Sequence, residues 1–183
     1  MKNLIKLVIV FISALFLLGA VNPALLKKSF IAGIVTKVIQ DVIHKSGNET
    51  WSKTKPMTQL KTKDLLRTGQ RSVAVLKFVD GSILRVRENT MLMILADKKD
   101  KGLIKNTKLE NGKIIFDVNK QTEDDKFIIT TPTAVATVRG TIGLVELLDN
   151  GSTLIIVDKG IVDLEATGVN KESKTLEAGN VSI

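Results

Sequence analysis

The sequence predicts an all-β fold built from short antiparallel hairpins, and three observations predict it. Val, Ile and Leu carry the hydrophobic content, while aromatics make up only 4% and Tyr is absent, a composition that favours sheet over a helical bundle. Short apolar-alternating runs recur about every 8–12 residues, separated by Gly and Asx turns. No strand–helix–strand alternation appears, so a parallel α/β sheet is excluded. A sandwich, a roll and a β-solenoid all satisfy this pattern. The 183 residues, 44% hydrophobic, suffice for one modest domain after any targeting segment.

Residues 1–24 read as an export signal. Lys2 and Lys6 form a positive n-region and residues 7–21 an apolar h-region of about 15 residues. Neither candidate cleavage site is good: Ala20 has Leu18 at −3, and Ala24 has Asn22 there. Left uncleaved, residues 4–26 come near the ~20 apolar residues that span a bilayer as a helical anchor. Either outcome puts the remaining domain, residues 25–183, outside the cytoplasm: periplasmic or exported, or held at the cytoplasmic membrane. No Cys follows the h-region, so lipoprotein processing is excluded.

Along residues 26–43 the apolar pairs Phe30/Ile31, Ile34/Val35, Val38/Ile39 and Val42/Ile43 recur every four residues, a helical period. The β-branched load and Gly33 oppose a helix there. Residues 46–69 are polar and turn-rich, with Trp51 packing on the domain and Pro56 interrupting any regular run. A short strand then leads to a turn at 68–70. Hairpin chemistry follows. Residues 72–79 form a strand, Asp80-Gly81 a two-residue turn, and 82–87 the return. Ala74, Leu76, Phe78, Leu84 and Val86 face inward, which leaves Arg85 and Arg87 on the wet face. A strand over 90–95, a charged turn over 97–102, and a second hairpin of 103–109 and 113–118 around Asn111-Gly112 come next, with Ile114, Phe116 and Val118 inward. After a polar excursion at 119–125, the run 127–144 (FIITTPTAVATVRGTIGL) gives a strand to Thr131, a corner at Pro132 and a second strand through Val138. Residues 142–148 and 153–157 pair around Asp149-Asn150-Gly151, Lys159-Gly160 turns into 161–165, and 173–176 is the last strand.

Arg139 is expected to be buried in that run, and a guanidinium there requires acceptors. The sequence therefore reads Arg139 as a structural clamp between strands, with a ligand-facing anion site as the alternative, and Gly140 as letting the backbone bend.

Composition removes several chemistries. There is no Cys, hence no disulfide, thiolate metal site or cysteine nucleophile. One histidine, His44, cannot make a His-rich metal site. Glu123, Asp124 and Asp125 adjoin in a polar loop and do not supply two carboxylates in different environments. Asp80, Asn111 and Asp149 are accounted for by turns, and Ser72 and Ser82 lie at strand ends without a nucleophile elbow. No catalytic residue, cofactor or metal is expected. Lys2 and Lys6 supply two of the eight net positive charges, leaving +6 on the rest. The lysines (Lys53, Lys55, Lys98, Lys105, Lys108 among them) alternate with acids and lack aromatic platforms, which favours a solvated face over a nucleic-acid groove.

The ordered series Ala32-Gly33-Ile34-Val35, Leu66-Arg67-Thr68-Gly69, Leu76–Ser82, Leu84–Thr90, Asn111–Phe116, Thr131–Thr141, Lys159-Gly160-Ile161-Val162 and Glu177-Ala178-Gly179-Asn180 resembles the FecR domain, a bacterial envelope family. The resemblance covers about residues 30–181, with Asp80, Gly81, Arg139, Gly140 and Thr141 as its structural signature. It implies strands rather than helix over 31–43, and a non-enzymatic all-β domain outside the cytoplasmic membrane. Gln40 departs from the pattern, standing where the family tends to place Gly. The best-known members are transmembrane regulators that relay an outer-membrane transport signal to a cytoplasmic sigma factor. Only six residues precede the apolar segment, so the expectation is a stand-alone FecR-domain protein. Two roles fit it: an interaction or signalling module for an envelope protein partner, or a binder of anionic glycan or lipid headgroups.

Overall fold

The computed structural model describes residues 30–168 and 172–183. These residues form sixteen strands and no helix. In chain order they are β1 (Ile31–Ile39), β2 (Val42–Lys45), β3 (Ser52–Lys53), β4 (Gln59–Lys61), β5 (Asp64–Thr68), β6 (Val73–Phe78), β7 (Ile83–Val86) and β8 (Met91–Lys98). There follow β9 (Leu103–Asp117), β10 (Lys126–Thr130), β11 (Ala134–Val138), β12 (Ile142–Leu147), β13 (Thr153–Lys159), β14 (Ile161–Ala166), β15 (Ser173–Glu177) and β16 (Val181–Ser182). The apolar N-terminal helix expected over 1–24 lies outside the described residues. Residues 31–39 and 42–45 are strands, so branching at Cβ outweighs the four-residue period there.

The strands form two open sheets that share β9. One runs β4-β1-β6-β7-β9-β12-β13-β16 and the other β3-β2-β5-β8-β9-β10-β11-β14-β15. Every ladder is antiparallel except β9–β10, so the architecture is a sandwich and not a solenoid of stacked parallel coils. Apolar residues from both sheets make one core, and Phe78 of the first meets Phe127 of the second edge-to-face at 5.1 Å.

Asn111-Gly112 does not make the expected hairpin. β9 runs straight through it, and the dipeptide is the crease at which the strand leaves one sheet and enters the other. Residues up to Leu109 pair with β8 and β10, and those from Gly112 on pair with β7 and β12. A bulge here, where Met91 faces Asn111 but Leu92 faces Leu109, shifts the side-chain parity by one. Lys105, Thr107 and Leu109 point inward before it, and Ile114, Phe116 and Val118 after it. Gly112 has φ +88°, and a Cβ there would lie 2.4 Å from Thr90 Oγ1, so the crease needs glycine on both counts.

The same device recurs. Among the described residues the chain passes between sheets at ten places. Nine carry a residue in the left-handed region: Gln40, Met57, Lys63, Arg71, Asn89, Gly112, Gly140, Gly160 and Gly179. Gln40, at φ 59°, explains the departure from family pattern: the corner favours glycine, and this chain holds it with a strained L-residue. The tenth crossing, from β9 to β10, is the polar excursion 119–125.

Candidate functional site

The excursion 119–125 is held between the two halves of the signature. On one side stands the tip of the β6–β7 hairpin. Phe78 N–H donates to Ser82 O, and Gly81, at φ +84°, donates to Phe78 O. The Asp80 carboxylate accepts from Ser82 N–H (3.1 Å), Ser82 Oγ (2.9 Å) and Gln121 Nε2 (3.1 Å). It also pairs with Lys105 Nζ at 2.8 Å. Asn119 closes the contact, its N–H donating to Ser82 Oγ and its Nδ2 to Asp80 O.

Two expectations are corrected here. Lys105 is not on a solvated face: its side chain is 1% exposed, because the parity of β9 before the bulge turns it inward. Asp80 is more than a turn residue, since it is the counter-ion of that buried ammonium. Beyond the ion pair, Lys105 Nζ has no hydrogen-bond partner among the described residues. Burial pushes the Asp80 carboxyl up, but Lys105, Gln121 and Ser82 together hold it below the usual carboxylate range.

On the other side stands the turn after β11. Gly140, at φ +72°, brings the backbone so close that a Cβ would lie 3.1 Å from Lys120 Cα. Thr141 Oγ1 donates to Ile161 O (2.6 Å) and accepts from Ile161 N–H, while Val118 N–H donates to Thr141 O. Arg139 pairs through Nη2 with Asp163 at 2.6 Å. The pair joins the end of β11 to β14, and the expected burial is not found: the Arg139 side chain is 68% exposed. Val138 is the last inward residue of β11, so alternation sends Arg139 to water.

Within the loop, Asp125 accepts from Leu103 N–H (2.8 Å) and Thr122 Oγ1 (2.9 Å), which hold its carboxyl below the usual range. It acts as a loop brace. Among the described residues no group of three or more His, Cys, Asp or Glu is placed to hold a metal ion. The loop, β11 and β14 together wall a groove of about 610 Å³. Its lining mixes both signs, Lys120, Lys126 and Arg139 with Glu123, Asp125, Asp163 and Glu165. A second groove of about 550 Å³, lined by Thr133, Thr153, Leu164 and Lys174, touches none of the signature residues.

A family model described as FecR protein matches residues 64–163, a stretch that holds the five signature residues and the whole excursion. The chain belongs to the FecR family. Two crystal structures of a candidate anti-sigma factor from Parabacteroides distasonis resemble this FecR chain with TM-scores of 0.54 and 0.55, at 16% identity. In each, the alignment covers 64% of this chain and 52% of the other. The FecR chain thus matches about half the length of that protein, and at this identity the likeness is one of fold. No protein of curated function matches the sequence.

In this FecR domain the signature residues, separated by some sixty positions, meet across one loop. The sequence reading named these five, with Arg139 wrongly buried, and missed Lys105, Asn119 and Gln121, which bond to Asp80 or to its neighbours. Lys105 shares its inward parity with Thr107, so no apolar alternation marked it.

Proposed function

We propose that this FecR protein is a non-enzymatic regulatory module of the bacterial envelope, and that it binds a protein partner in the groove beside residues 119–125. The observation that carries the reading is that the signature residues hold the loop 119–125, which walls that groove, and that Arg139 lines it. The polar groups of the site are spent on fixing a loop, and the groove beside it is lined by charges of both signs. Such a lining fits a protein surface of complementary pattern better than a polyanion, which calls for continuous positive charge. Family membership and a fold like that of a candidate anti-sigma factor support a role in signalling. The apolar N-terminal segment supports export, with the module working outside the cytoplasmic membrane, released or anchored. No described helix is long and apolar enough to cross a membrane.

A photo-crosslinking residue at Glu123 of the full-length protein, activated in intact cells, tests this. A discrete protein adduct that disappears with Arg139→Glu is expected. Adducts of polysaccharide or lipid alone would sink the reading. The second reading, an anionic headgroup or glycan, rests on Lys37, Lys77, Arg85 and Arg87, which lie close together on the outer face of the first sheet and have no ion-pair partner among the described residues. Binding of that kind would be abolished by high salt.

A further inference from the structure

The register lays out the outer face of the first sheet row by row. The middle row reads Lys37, Val75, Arg85, Ile115, Leu144 and Ile156, ending at Val181 on β16. On one side of it run Ile34, Lys77, Ile83, Asp117, Ile142 and Lys159. On the other, Ile39 and Val73 lead past Arg87 to Lys113, Glu146 and Leu154. These residues alternate with the buried Leu76, Leu84, Val86, Ile114, Val145 and Ile155, so they face away from the core. Eleven of the nineteen are aliphatic, where an exposed antiparallel face is ordinarily polar.

The charged positions among them are strongly one-sided. Lys37, Lys77, Arg85, Arg87, Lys113 and Lys159 oppose only Asp117 and Glu146, and Lys113 pairs with Glu146 at 2.8 Å. Lys61, opposite Ile31, and Asp158, in the bulge beside Ile142, add one charge of each sign at the borders. The face therefore carries a net +4. In the sequence, four lysines and no acid precede residue 30, so residues 30–183 carry +4 of the total +8. All the net charge of the domain is thus gathered on this one face, and the charges elsewhere in residues 30–183 balance.

We infer that this face lies on an anionic bilayer surface. A second copy would set like charges against each other. Aliphatic and basic groups mixed on one open face instead complement anionic headgroups: the cationic tips reach phosphates while their stems and the aliphatic side chains lie at the edge of the acyl region. Neither groove described above opens on this face. The sequence also supplies a tether. The apolar segment 4–26 ends five residues before Ile31, where β1 begins, and β1 gives Ile34 and Lys37 to the face. With that segment anchored, the face meets the bilayer at a roughly millimolar effective concentration. None of the nineteen positions holds Trp or Tyr to deepen insertion, so the contact depends on charge and reverses in salt. The inference rests on the second reading of the basic cluster and names its ligand, a lipid bilayer and not a soluble glycan. It leaves the groove beside 119–125, on the second sheet, open to a protein partner.

The chain has no cysteine, so one fluorophore on a single-cysteine variant of the full-length protein reports one position. At Val181→Cys, spin-labelled lipid should quench it in vesicles of phosphatidylcholine with phosphatidylglycerol, and high salt should relieve the quenching. In vesicles of phosphatidylcholine alone it should stay bright. At Thr137→Cys, on the outer face of the second sheet, it should stay bright in both. Adding Lys77→Gln and Arg85→Gln to Val181→Cys should lower the ratio of docked to undocked domain about 25-fold, at roughly fivefold per cation, while the melting temperature holds within a few degrees. Equal quenching at the two positions would overturn the inference. So would quenching at Val181→Cys that ignores phosphatidylglycerol, or that ignores the loss of both cations in a folded chain. Salt-sensitive binding to soluble alginate without quenching on vesicles would overturn it and leave the basic-cluster reading standing; loss of both would end both.

Discussion

At the scale of single residues, two basic side chains exchange the roles their sequence contexts suggest. Arg139 sits in the most recognisable stretch of the chain, yet it ends at the surface in an exposed pair with Asp163, and such pairs contribute little. Arg139→Ala should therefore cost less than about 1 kcal/mol in urea denaturation. Lys105 sits in an unremarkable run, yet it is buried against Asp80. Lys105→Met keeps the volume but leaves a carboxylate half out of water, so the loss should be roughly 2–4 kcal/mol. An Arg139 variant as damaging as the Lys105 one would contradict the assignment. The pair also sets a pH dependence. Asp80 titrates lower in the folded protein than the ordinary 3.8. Its contribution is thus complete above that range and is lost as pH falls through the folded value. Melting temperature should drop on acidification below about pH 5, and less steeply in Asp80→Asn; equal slopes would exclude Asp80 as a source. Which residues make the site was half legible. Turn and β-signals mark Asp80, Gly81, Gly140 and Thr141 locally. Lys105 is invisible because its burial depends on a bulge six residues away that resets which face of β9 is inside.

At the scale of elements, the strands were legible and the corners were not. Alternation locates β6, β7, β10, β11, β12 and β13 because each has one face in the core. The hairpin turns Asp80-Gly81 and Asn150-Gly151 obey local turn chemistry. Asn111-Gly112 carries the same local signal and does something else, since a left-handed residue serves a crease in a continuous strand as well as a hairpin, and only the partners of β9 decide between them. The crease makes a sharp prediction. Gly112→Ala meets both a positive φ and the Thr90 side chain, whereas Gly151, at φ +85°, has nothing within 4 Å of its Cβ position. Gly151→Ala should cost about 1–2 kcal/mol from conformation alone. Gly112→Ala should cost at least about 2 kcal/mol more, because backbone and side chain must both move. Similar losses in the two variants would mean that the crease relaxes freely.

At the scale of the whole molecule, the chain folds back and forth between two sheets, with tight corners at nine crossings and one long polar crossing at the tenth. That tenth crossing passes between Asp80-Gly81 on one side and Gly140-Thr141 on the other. The family signature thereby acts on a single object, the loop 119–125, and the groove beside it is the consequence. The all-β class followed from composition and spacing. The two-layer arrangement did not, because pairing across β9 is non-local and sandwich, roll and solenoid share one local pattern. The most direct test of the site is amide hydrogen exchange over 119–125 in the wild type, Lys105→Met and Arg139→Ala. If the signature exists to fix this loop, the Asn119 and Asp125 amides, bonded to Ser82 and Thr122, are protected in the wild type, exchange much faster in Lys105→Met, and stay protected in Arg139→Ala. Rapid exchange already in the wild type, or protection that survives loss of the Lys105 ammonium, would contradict it.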